Sequence, residues 1–445
     1  MELDALYAFL VAAAITALLT PLTMRIARTV GAIDEPRARG LSEQATPLLG
    51  GLAIFAGVLA ASLIWLPSGY GENGELWHGV LLGAGVITFV GAIDDRYDLH
   101  WALKLLGQFL AAVVVVHFGV GVKAITLPFV GELHFPNTGP TNAGPVLTVV
   151  GLVFLMNVVN FSDGVDGLAG GVCAIMAMAM AVIAFDLHRQ PPGILAALTA
   201  GAALGFLIFN FPPASSFMGD CGSNLLGLLM GVISVEAAVK TAAVLSFVLP
   251  LILLAVPFLD TTFVVLKRLK YRQAVYRPDS EHFHHRMARI GFSSRRTIAY
   301  LYGWTLMLAA LALALRFVPY SDHKGHLHTG WALVMAGIFL VVLAASVYLV
   351  YVLEILKFRR LDAIRLRRLR PHASPAEIDM DVAKDLETGE FQAVSDVGDL
   401  DVQVHGDGVD GGAEQRIGKR QVDHDRVGAE NERGPTQAPI AADGR

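Results

Sequence analysis

The chain has 445 residues, of which 54% are hydrophobic and only 16% are charged, and its formal net charge is −5. This composition is too apolar for a soluble globular domain and predicts an integral membrane protein. Its two cysteines, Cys173 and Cys221, indicate neither a disulfide framework nor a cysteine-based zinc site.

Apolar stretches long enough to cross a membrane, about 17–25 residues, recur along the first 360 residues. We predict an all-α fold, a polytopic helical bundle with about eleven transmembrane helices. Glu2 and Asp4 stand where a signal peptide would carry basic residues, so the first stretch is expected to remain as a helix. The predicted stretches are approximately 4–24, 47–66, 78–94, 101–120, 145–161, 167–186, 193–211, 222–238, 241–266, 296–317 and 330–356.

The distribution of basic residues predicts the orientation in the membrane. They concentrate in one set of loops, above all in 267–296 and 357–370, and basic loops remain in the cytoplasm. The N-terminus is therefore expected outside and the C-terminus inside. Residues 1–360 would form the transmembrane domain. Residues 361–373 would form a basic juxtamembrane segment, whose charge is better explained by topology and anionic lipid than by nucleic acid. The acidic residues 374–445 are predicted to be a disordered cytoplasmic tail.

A polar segment from Asn157 to Gly171 separates two apolar stretches. Asp163 and Asp166 lie three residues apart among glycines, a pattern that a turn alone would explain. Asn160 and Asn157, however, lie one helical turn apart inside the apolar stretch, where a turn does not need them. Ionisable residues at membrane depth are costly and usually functional, so we interpret this segment as part of a site.

A second polar segment, Asp94-Asp95-Arg-Tyr-Asp98, follows the third apolar stretch. Three carboxylates in five residues suit a hard cation such as Mg²⁺. Adjacent carboxylates also repel each other, which can raise one pKa and provide a base. A helix cap and solvated loop charges are the structural alternative. Lys104 and Gln108 lie one turn apart at the start of the next stretch, and a lysine near a helix end can simply extend its ammonium to the membrane surface.

Three further segments carry polar residues. Asp220 stands directly before the eighth apolar stretch, where it could cap a helix or hold a metal, and Phe217 could pack or stack on a base. Arg39 in the first loop could pair with phosphate oxygens, although topology alone also explains an arginine there. The long loop before the tenth stretch contains His282, Phe283, His284, His285 and Arg286. Since no zinc-binding pattern accompanies these histidines, contact with phosphate is favoured over a transition metal.

Because successive stretches alternate sides, all five polar segments are expected on the cytoplasmic face. Carboxylates for a hard metal, basic groups for phosphates and glycines for access together predict phosphoryl transfer to a lipid substrate. Two alternatives of other classes remain open. A transporter would bind protons or cations through aspartates near the middle of its helices. A membrane scaffold would act through the acidic tail.

These segments resemble the polyprenyl-phosphate N-acetylhexosamine-1-phosphate transferase superfamily over roughly residues 4–360. The resemblance implies a Mg²⁺-dependent membrane enzyme, with Mn²⁺ as an alternative metal, that is usually a homodimer. Such enzymes transfer a sugar-1-phosphate from a UDP-amino sugar to polyprenyl phosphate at the cytoplasmic face of the inner (plasma) membrane and release UMP. The motifs that carry it are Asp94-Asp95-Arg-Tyr-Asp98, Asn157-Val-Val-Asn160-Phe-Ser-Asp163-Gly-Val-Asp166-Gly-Leu, Phe217-Met-Gly-Asp220-Cys-Gly-Ser223 and His282-Phe-His284-His285.

The same resemblance implies roles for individual residues. Asp220 corresponds to the principal Mg²⁺ ligand, Asp94 to the base or nucleophile, and Asp95 to an acidic neighbour near the metal. Asp163 and Asp166 correspond to a second acidic pair near the nucleoside diphosphate.

The resemblance also implies contacts with the substrate. The corresponding residues are Asn210 and Phe217 for uracil, His282, His284 and His285 for the diphosphate and sugar, and Asn160 as a polar site residue. Arg286 follows the histidines. The interrupted histidine run is similar to the WecA and TagO branch, which favours UDP-GlcNAc over the UDP-MurNAc-pentapeptide of peptidoglycan synthesis. Such a product would start a cell-envelope polysaccharide or teichoic acid.

The first loop departs from the pattern of many family members. Their Lys and His positions are occupied here by Gly40 and Ser42, whereas Arg39 fits. Two expected cationic contacts near a phosphate are therefore missing, and a somewhat different sugar or lipid is an alternative.

Overall fold

The computed structural model describes residues 2–34, 45–67, 72–122, 124–127, 131–134, 143–238, 294–319 and 328–352. Within these ranges the protein forms ten helices and two short antiparallel strand pairs. The helices are α1 (Glu2–Val30), α2 (Gly50–Trp65), α3 (Glu72–Tyr97), α4 (Trp101–His117), α5 (Ala143–Ser162), α6 (Leu168–Asp186), α7 (Gln190–Asn210), α8 (Gly219–Ala238), α9 (Ser294–Phe317) and α10 (Thr329–Val352). The strands are β1 (Ile33–Asp34), paired with β2 (Thr46–Pro47), and β3 (Ala124–Leu127), paired with β4 (Gly131–His134).

The predicted all-α membrane fold is confirmed. Each predicted apolar stretch that falls within the described residues contains a helix, and seven helices are long and apolar enough to cross a membrane. Those seven are α1, α3, α5, α6, α7, α9 and α10, whereas α2 and α4 are shorter apolar helices. The predicted stretch at 241–266, the end of the stretch at 330–356 and the segments 361–373 and 374–445 lie outside the described residues. The count of eleven and the orientation of the termini stay predictions.

The centre of the bundle is formed by α6, α7 and α8. α7 packs between α1 and α6, while α8 packs against α3 and α5, and α9 lies against α6. Most residues of α6 and α7 are buried, whereas α10 exposes large apolar side chains such as Leu333 and Leu340. Exposed apolar side chains along a helix of this length are those expected to contact lipid, since the membrane core is itself apolar.

Three successive helix pairs turn at the same end of the bundle. Hydrogen bonds join the turns to one another. The amide of Gly167, between α5 and α6, donates to the Oδ1 atom of Asn210 at the end of α7 (2.9 Å). The amide of Asp220, in the first turn of α8, donates to Asp95 in the last turn of α3 (2.7 Å). Polar segments that are distant in the chain therefore meet at this end.

Close helix contact makes this meeting possible. A Cβ atom added to Gly91 of α3 would lie 2.4 Å from the Cα atom of Cys221 in α8. Only glycine permits such an approach, as small residues generally do at membrane helix interfaces. The start of α8 is thereby held directly against the end of α3, which positions Asp220 beside the Asp94–Asp98 segment.

Candidate active site

The ammonium of Lys104 lies among three aspartates that the sequence placed in two separate segments. Its Nζ atom is 2.7 Å from Asp94 Oδ2, 3.3 Å from Asp220 Oδ2 and 3.9 Å from Asp98 Oδ1. The Asp94 side chain is 3% exposed, but the side chains of Lys104 and Asp220 are 35% and 29% exposed. An incoming phosphate would therefore meet Lys104 before Asp94. Lys104 therefore belongs to this cluster as well as being partly exposed, a contact that the sequence did not predict.

Asp94 is held from two sides at the end of α3. Its Oδ1 atom accepts a hydrogen bond from the amide of Leu99 (2.7 Å), and its Oδ2 atom faces Lys104. The amide of Asp98 donates to the Asp94 carbonyl oxygen, and Asp98 adopts a left-handed conformation (φ 48°). This tight turn between α3 and α4 brings Lys104 back over Asp94.

Asp95 binds the N-terminus of α8. Its Oδ1 atom accepts from the amide of Asp220 (2.7 Å) and its Oδ2 atom from the amide of Cys221 (3.2 Å). A carboxylate here satisfies amides that have no partner within their own helix and lies at the positive end of the helix dipole. Gly219, with φ 69°, leaves the space that Asp95 occupies, since a Cβ atom there would lie 2.3 Å from Asp95 Oδ2. In this arrangement Asp95 positions Asp220; its role in metal binding stays a prediction.

Asn160 completes the contacts of Asp220. Its Nδ2 atom donates to Asp220 Oδ1 (2.8 Å) and to Ser223 Oγ (2.9 Å). Both Asp220 oxygens are therefore engaged, one by Asn160 of α5 and one by Lys104 of α4. The side chain is held by two helices while Asp95 of a third helix holds its backbone amide.

Among the described residues, neither a hydrogen bond nor an ion pair to the side chain of Asp163 is found. Asp163 lies, half-buried, in the turn between α5 and α6. Burial, and next the negative charges of Asp220, Asp95 and Asp166, raise the pKa of Asp163 well above its ordinary value. A site that opposes the ionisation of a partly exposed carboxyl is one where a cation would be stabilised.

Asp166 and Asn210 connect the turn before α6 to the 211–218 loop. The Oδ2 atom of Asp166 accepts from the amide of Ala214 (3.0 Å). Asn210, which is 1% exposed, accepts from the amide of Gly167 and donates through Nδ2 to the Ser216 carbonyl oxygen (3.0 Å). In this structure the Asn210 carboxamide thus supports the loop, so the predicted uracil contact stays a prediction.

Phe217 lies half-buried at the end of that loop. Its amide donates to the Pro47 carbonyl oxygen (3.0 Å) and its own carbonyl oxygen accepts from the amide of Gly50 (3.1 Å). The backbone is thereby fixed against the start of α2, and the ring remains partly accessible. A partly accessible ring on a fixed backbone is compatible with stacking on a base.

Two contacts that were not predicted connect α9 to the site. The hydroxyl of Tyr302 donates to the Gly167 carbonyl oxygen (2.5 Å), and Arg295 Nε donates to the Pro212 carbonyl oxygen (3.1 Å). The start of α9 therefore lies beside the turn that carries Asp163. No local sequence signal marks these residues, since both act on backbone groups of distant segments.

The remaining predicted site residues lie outside the described residues. They are Arg39 in the first loop, with Gly40 and Ser42, and His282, His284, His285 and Arg286 in the loop before α9.

A layer of carboxamides lies beneath the aspartates. Gln108 Nε2 donates to Asn224 Oδ1 (2.8 Å), and Asn157 Nδ2 donates to Gln108 Oε1 (2.7 Å). Gln108 and Asn224 are each 5% exposed. The spacing contained a signal for this layer, because Gln108 follows Lys104 by one helical turn and Asn224 follows Asp220 by one turn.

Comparisons with known proteins agree with this geometry. The sequence profile of Glycosyl transferase family 4 matches residues 77–238, which span α3 to α8. The chain is 34% identical over 314 residues to the "Probable undecaprenyl-phosphate N-acetylglucosaminyl 1-phosphate transferase" of Bacillus subtilis (strain 168), an alignment that covers 69% of this chain and 84% of the relative. This chain belongs to glycosyl transferase family 4.

Two other relatives carry similar names. The "Decaprenyl-phosphate N-acetylglucosaminephosphotransferase" of Mycobacterium leprae (strain TN) is 36% identical over 326 residues, covering 67% of this chain and 81% of the relative. The "Undecaprenyl-phosphate alpha-N-acetylglucosaminyl 1-phosphate transferase" of Escherichia coli (strain K12) is 28% identical over 292 residues, covering 65% of this chain and 77% of the relative. The resemblance to polyprenyl-phosphate hexosamine-1-phosphate transferases is thereby confirmed, and the family 4 profile covers the helices that carry Asp94, Lys104 and Asp220 and the turn that carries Asp163.

Proposed function

We propose that this multi-pass membrane protein transfers N-acetylglucosamine-1-phosphate from UDP-GlcNAc to a polyprenyl phosphate and releases UMP. The similar proteins named above are named as N-acetylglucosamine-1-phosphate transferases that act on a polyprenyl phosphate. The structural observation that carries the proposal is the Lys104 ammonium, held between Asp94 and Asp220 at one end of the bundle. A cation beside carboxylates at the end of membrane-spanning helices suits a reaction between a lipid phosphate and a water-soluble diphosphate.

The reaction forms one P–O bond and breaks another. An oxygen of the polyprenyl phosphate attacks the sugar-side phosphorus of UDP-GlcNAc. The bond from that phosphorus to the bridging oxygen breaks, and UMP leaves with the bond's electron pair. Lys104 is a partly exposed cation of the cluster, so it binds a phosphate oxygen and offsets the charge that develops in transfer. Binding of a phosphate by Lys104 weakens its pair with Asp94, which then orients the attacking phosphate or takes its proton.

The donor set is compatible with Mg²⁺, or with Mn²⁺ as an alternative. Among the described residues, no group of three or more histidine, cysteine, aspartate or glutamate side chains forms a metal cluster. Mg²⁺, however, commonly uses only one or two carboxylates together with water and substrate phosphates. Asp220 is partly exposed, and Asp163 lies among carboxylates that oppose its ionisation. These two would hold the ion, with Asp95 nearby, and the ion would neutralise charge on the diphosphate.

The long loop before α9 would supply contacts to the diphosphate and sugar through His282, His284, His285 and Arg286. Support comes from its downstream end, because Arg295 is hydrogen-bonded to the loop that follows α7.

Placement of the site on the cytoplasmic side of the inner membrane follows from the basic loops, and a homodimer follows from the family resemblance. Both are part of the proposal. Synthesis of a cell-envelope polysaccharide or teichoic acid would start from the product.

The alternatives have less support. The relatives reported above are named as N-acetylglucosamine-1-phosphate transferases, and these names do not favour a phospho-MurNAc-pentapeptide transferase. A transporter would require carboxylates near the middle of the helices. Asp94, Asp163, Asp166 and Asp220 instead lie at helix ends or in turns at one end of the bundle.

An isotope-exchange assay tests the proposal. Membranes that contain the protein, Mg²⁺ and polyprenyl phosphate receive radiolabelled UMP and unlabelled UDP-GlcNAc. We expect label to enter UDP-GlcNAc through the reverse reaction and Asp220→Asn to abolish the exchange. Glu75→Gln is the matched control, because Glu75 is exposed at the far end of α3. Absence of exchange with every UDP-N-acetylhexosamine would overturn the proposal. A labelled covalent phospho-enzyme formed from UDP-GlcNAc alone would replace direct attack with a two-step path through an aspartyl phosphate.

A further inference from the structure

The contacts between α4, α5 and α8 occur in two layers, each with one residue from each helix. In the upper layer, at the end of the bundle, Lys104 and Asn160 bind the two oxygens of Asp220. In the lower layer, Gln108 bonds Asn224 and Asn157 bonds Gln108. Each lower residue stands three or four positions further into the same helix, which is a descent of about 4.5–6 Å.

The lower layer is built only from carboxamides. Each group donates to the next in one direction, from Asn157 to Gln108 to Asn224, and Asn224 Nδ2 ends the chain on the carbonyl oxygen of Asp220 (2.8 Å). Asn157 also donates to the Val153 carbonyl oxygen of its own helix (2.8 Å). A buried neutral network with satisfied partners can exist at a depth where charged groups would be costly.

The two layers are linked by helix geometry. An α-helix is stiff over one turn, so the axial position and rotation of α4 relative to α8 at Gln108 and Asn224 also determine them at Lys104 and Asp220. Apolar side chains alone would specify this register weakly, because neighbouring packing arrangements of Leu, Val and Ala differ little in lipid. A directional hydrogen bond between Gln108 and Asn224 excludes those alternatives.

We propose that Asn157, Gln108 and Asn224 are positioning residues that hold Asp220 and Lys104 in their reactive arrangement. They do not touch the substrate. The expected effect on kcat rests on the proposed function. The expected effect on the structure at the start of α8 does not. A misplacement of about 1 Å in a catalytic group can lower a rate about 100-fold, so small changes in register are sufficient.

Two single variants and their combination test the inference. Gln108→Met and Asn224→Leu each remove one partner of the bond between α4 and α8 at similar side-chain size. Each leaves a buried polar group without its partner, so we expect lower thermal stability and a kcat that falls about 10- to 100-fold with little change in KM. In the double variant neither residue 108 nor residue 224 carries an unpaired polar group, and Asn157, which loses its bond to Gln108, still donates to the Val153 carbonyl oxygen. Most of the lost stability should therefore recover. Because the directional bond is still absent, kcat should stay low.

The matched control is Ser234→Ala. Ser234 is buried on α8 and its hydroxyl donates to the Met230 carbonyl oxygen four residues before it (2.7 Å), as the Asn224 carboxamide does to Asp220. This bond stays within α8, so kcat should be unchanged. A purely structural role of the carboxamide layer predicts instead that kcat recovers together with stability in the double variant, and that result would overturn the inference.

Hydrogen–deuterium exchange separates this inference from the proposed function. In the intact solubilised protein, Gln108→Met should speed exchange of the backbone amides of residues 219–224, and Ser234→Ala should not. If the wild type lacks UDP-GlcNAc activity, the proposed function fails while this measurement still decides the positioning role. Unchanged exchange at residues 219–224 in Gln108→Met overturns the positioning role, whatever the activity of the wild type.

Discussion

Replacement of Lys104 by methionine is the most direct test of the active-site arrangement. Methionine has nearly the same length but no charge, so it removes the ammonium that lies 2.7 Å from Asp94 and 3.3 Å from Asp220. Asp94 keeps the hydrogen bond from Leu99 but becomes a buried carboxylate without a cation. Two effects should follow, one on stability and one on rate.

The exposure of Lys104 determines the expected size of the effect on stability. Loss of one partner from a fully buried ion pair costs about 3–5 kcal/mol. Lys104 is 35% exposed, and solvent screening reduces that cost, so we expect the free energy of unfolding to fall by about 1–3 kcal/mol. Loss of a group that stabilises charge on the transferring phosphate typically lowers kcat about 100- to 1000-fold. Lys104→Arg should be intermediate, because guanidinium keeps the charge but not the compact shape of the ammonium.

Thermal unfolding in detergent and initial rates of UMP exchange measure the two effects. In the double variant Lys104→Met with Asp94→Asn, the buried charge is gone, so stability should return while exchange stays low. Arg96→Met is the control, since Arg96 is exposed at the same end of α3 and stacks on Tyr97. If Lys104→Met exchanges UMP at the wild-type rate, the ammonium does not act on the reacting phosphates and the reasoning is wrong.

Two further predictions concern Asp163 and Asp95. Because burial and neighbouring carboxylates raise the native pKa of Asp163 above its ordinary value of 3.8, wild type and Asp163→Asn should respond alike to pH below about 4. As the pH rises toward the native pKa, Asp163 ionises first in the unfolded state, so wild type should lose stability relative to Asp163→Asn. Thermal unfolding of both proteins in EDTA from pH 5 to 8 measures the difference in stability. A difference that does not change with pH would contradict the prediction. Asp95→Asn should lower the free energy of unfolding by about 0.5–2 kcal/mol, because asparagine cannot accept from both amides at the start of α8. Unchanged stability with a loss of Mg²⁺-induced stabilisation would show that Asp95 is a metal ligand instead.

Much of the fold followed from hydrophobic stretches alone. Their lengths predicted every described helix, because a membrane imposes a minimum apolar length and demands internal backbone hydrogen bonds. The polar segments were also identifiable, because Asp163, Asp166 and Asp220 interrupt stretches that would otherwise be apolar. Residue types were sufficient to identify these segments, because an ionisable side chain in an apolar stretch is costly whichever residue pairs with it.

The partners were not predictable. Lys104 gave the same local pattern as a lysine that only reaches the membrane surface, and its three aspartates come from α3, α8 and the turn between α3 and α4. Asp95 resembled a metal ligand in a carboxylate-rich motif, yet both its oxygens bind amides at the start of α8. Such contacts depend on how α3 and α8 approach, which Gly91 permits but does not specify.

The sequence by itself determined that this chain is an all-α membrane protein with carboxylates at helix ends, because those properties depend on composition and periodicity. Only the tertiary structure decided which carboxylates share a cation, which hold a helix in place and which remain free of hydrogen bonds among the described residues. Lys104 and Asp220 are 116 positions apart in the chain, as are Gln108 and Asn224. These pairs meet because α4 and α8 pack side by side in one particular alignment. No local sequence pattern encodes the distance between side chains on different helices.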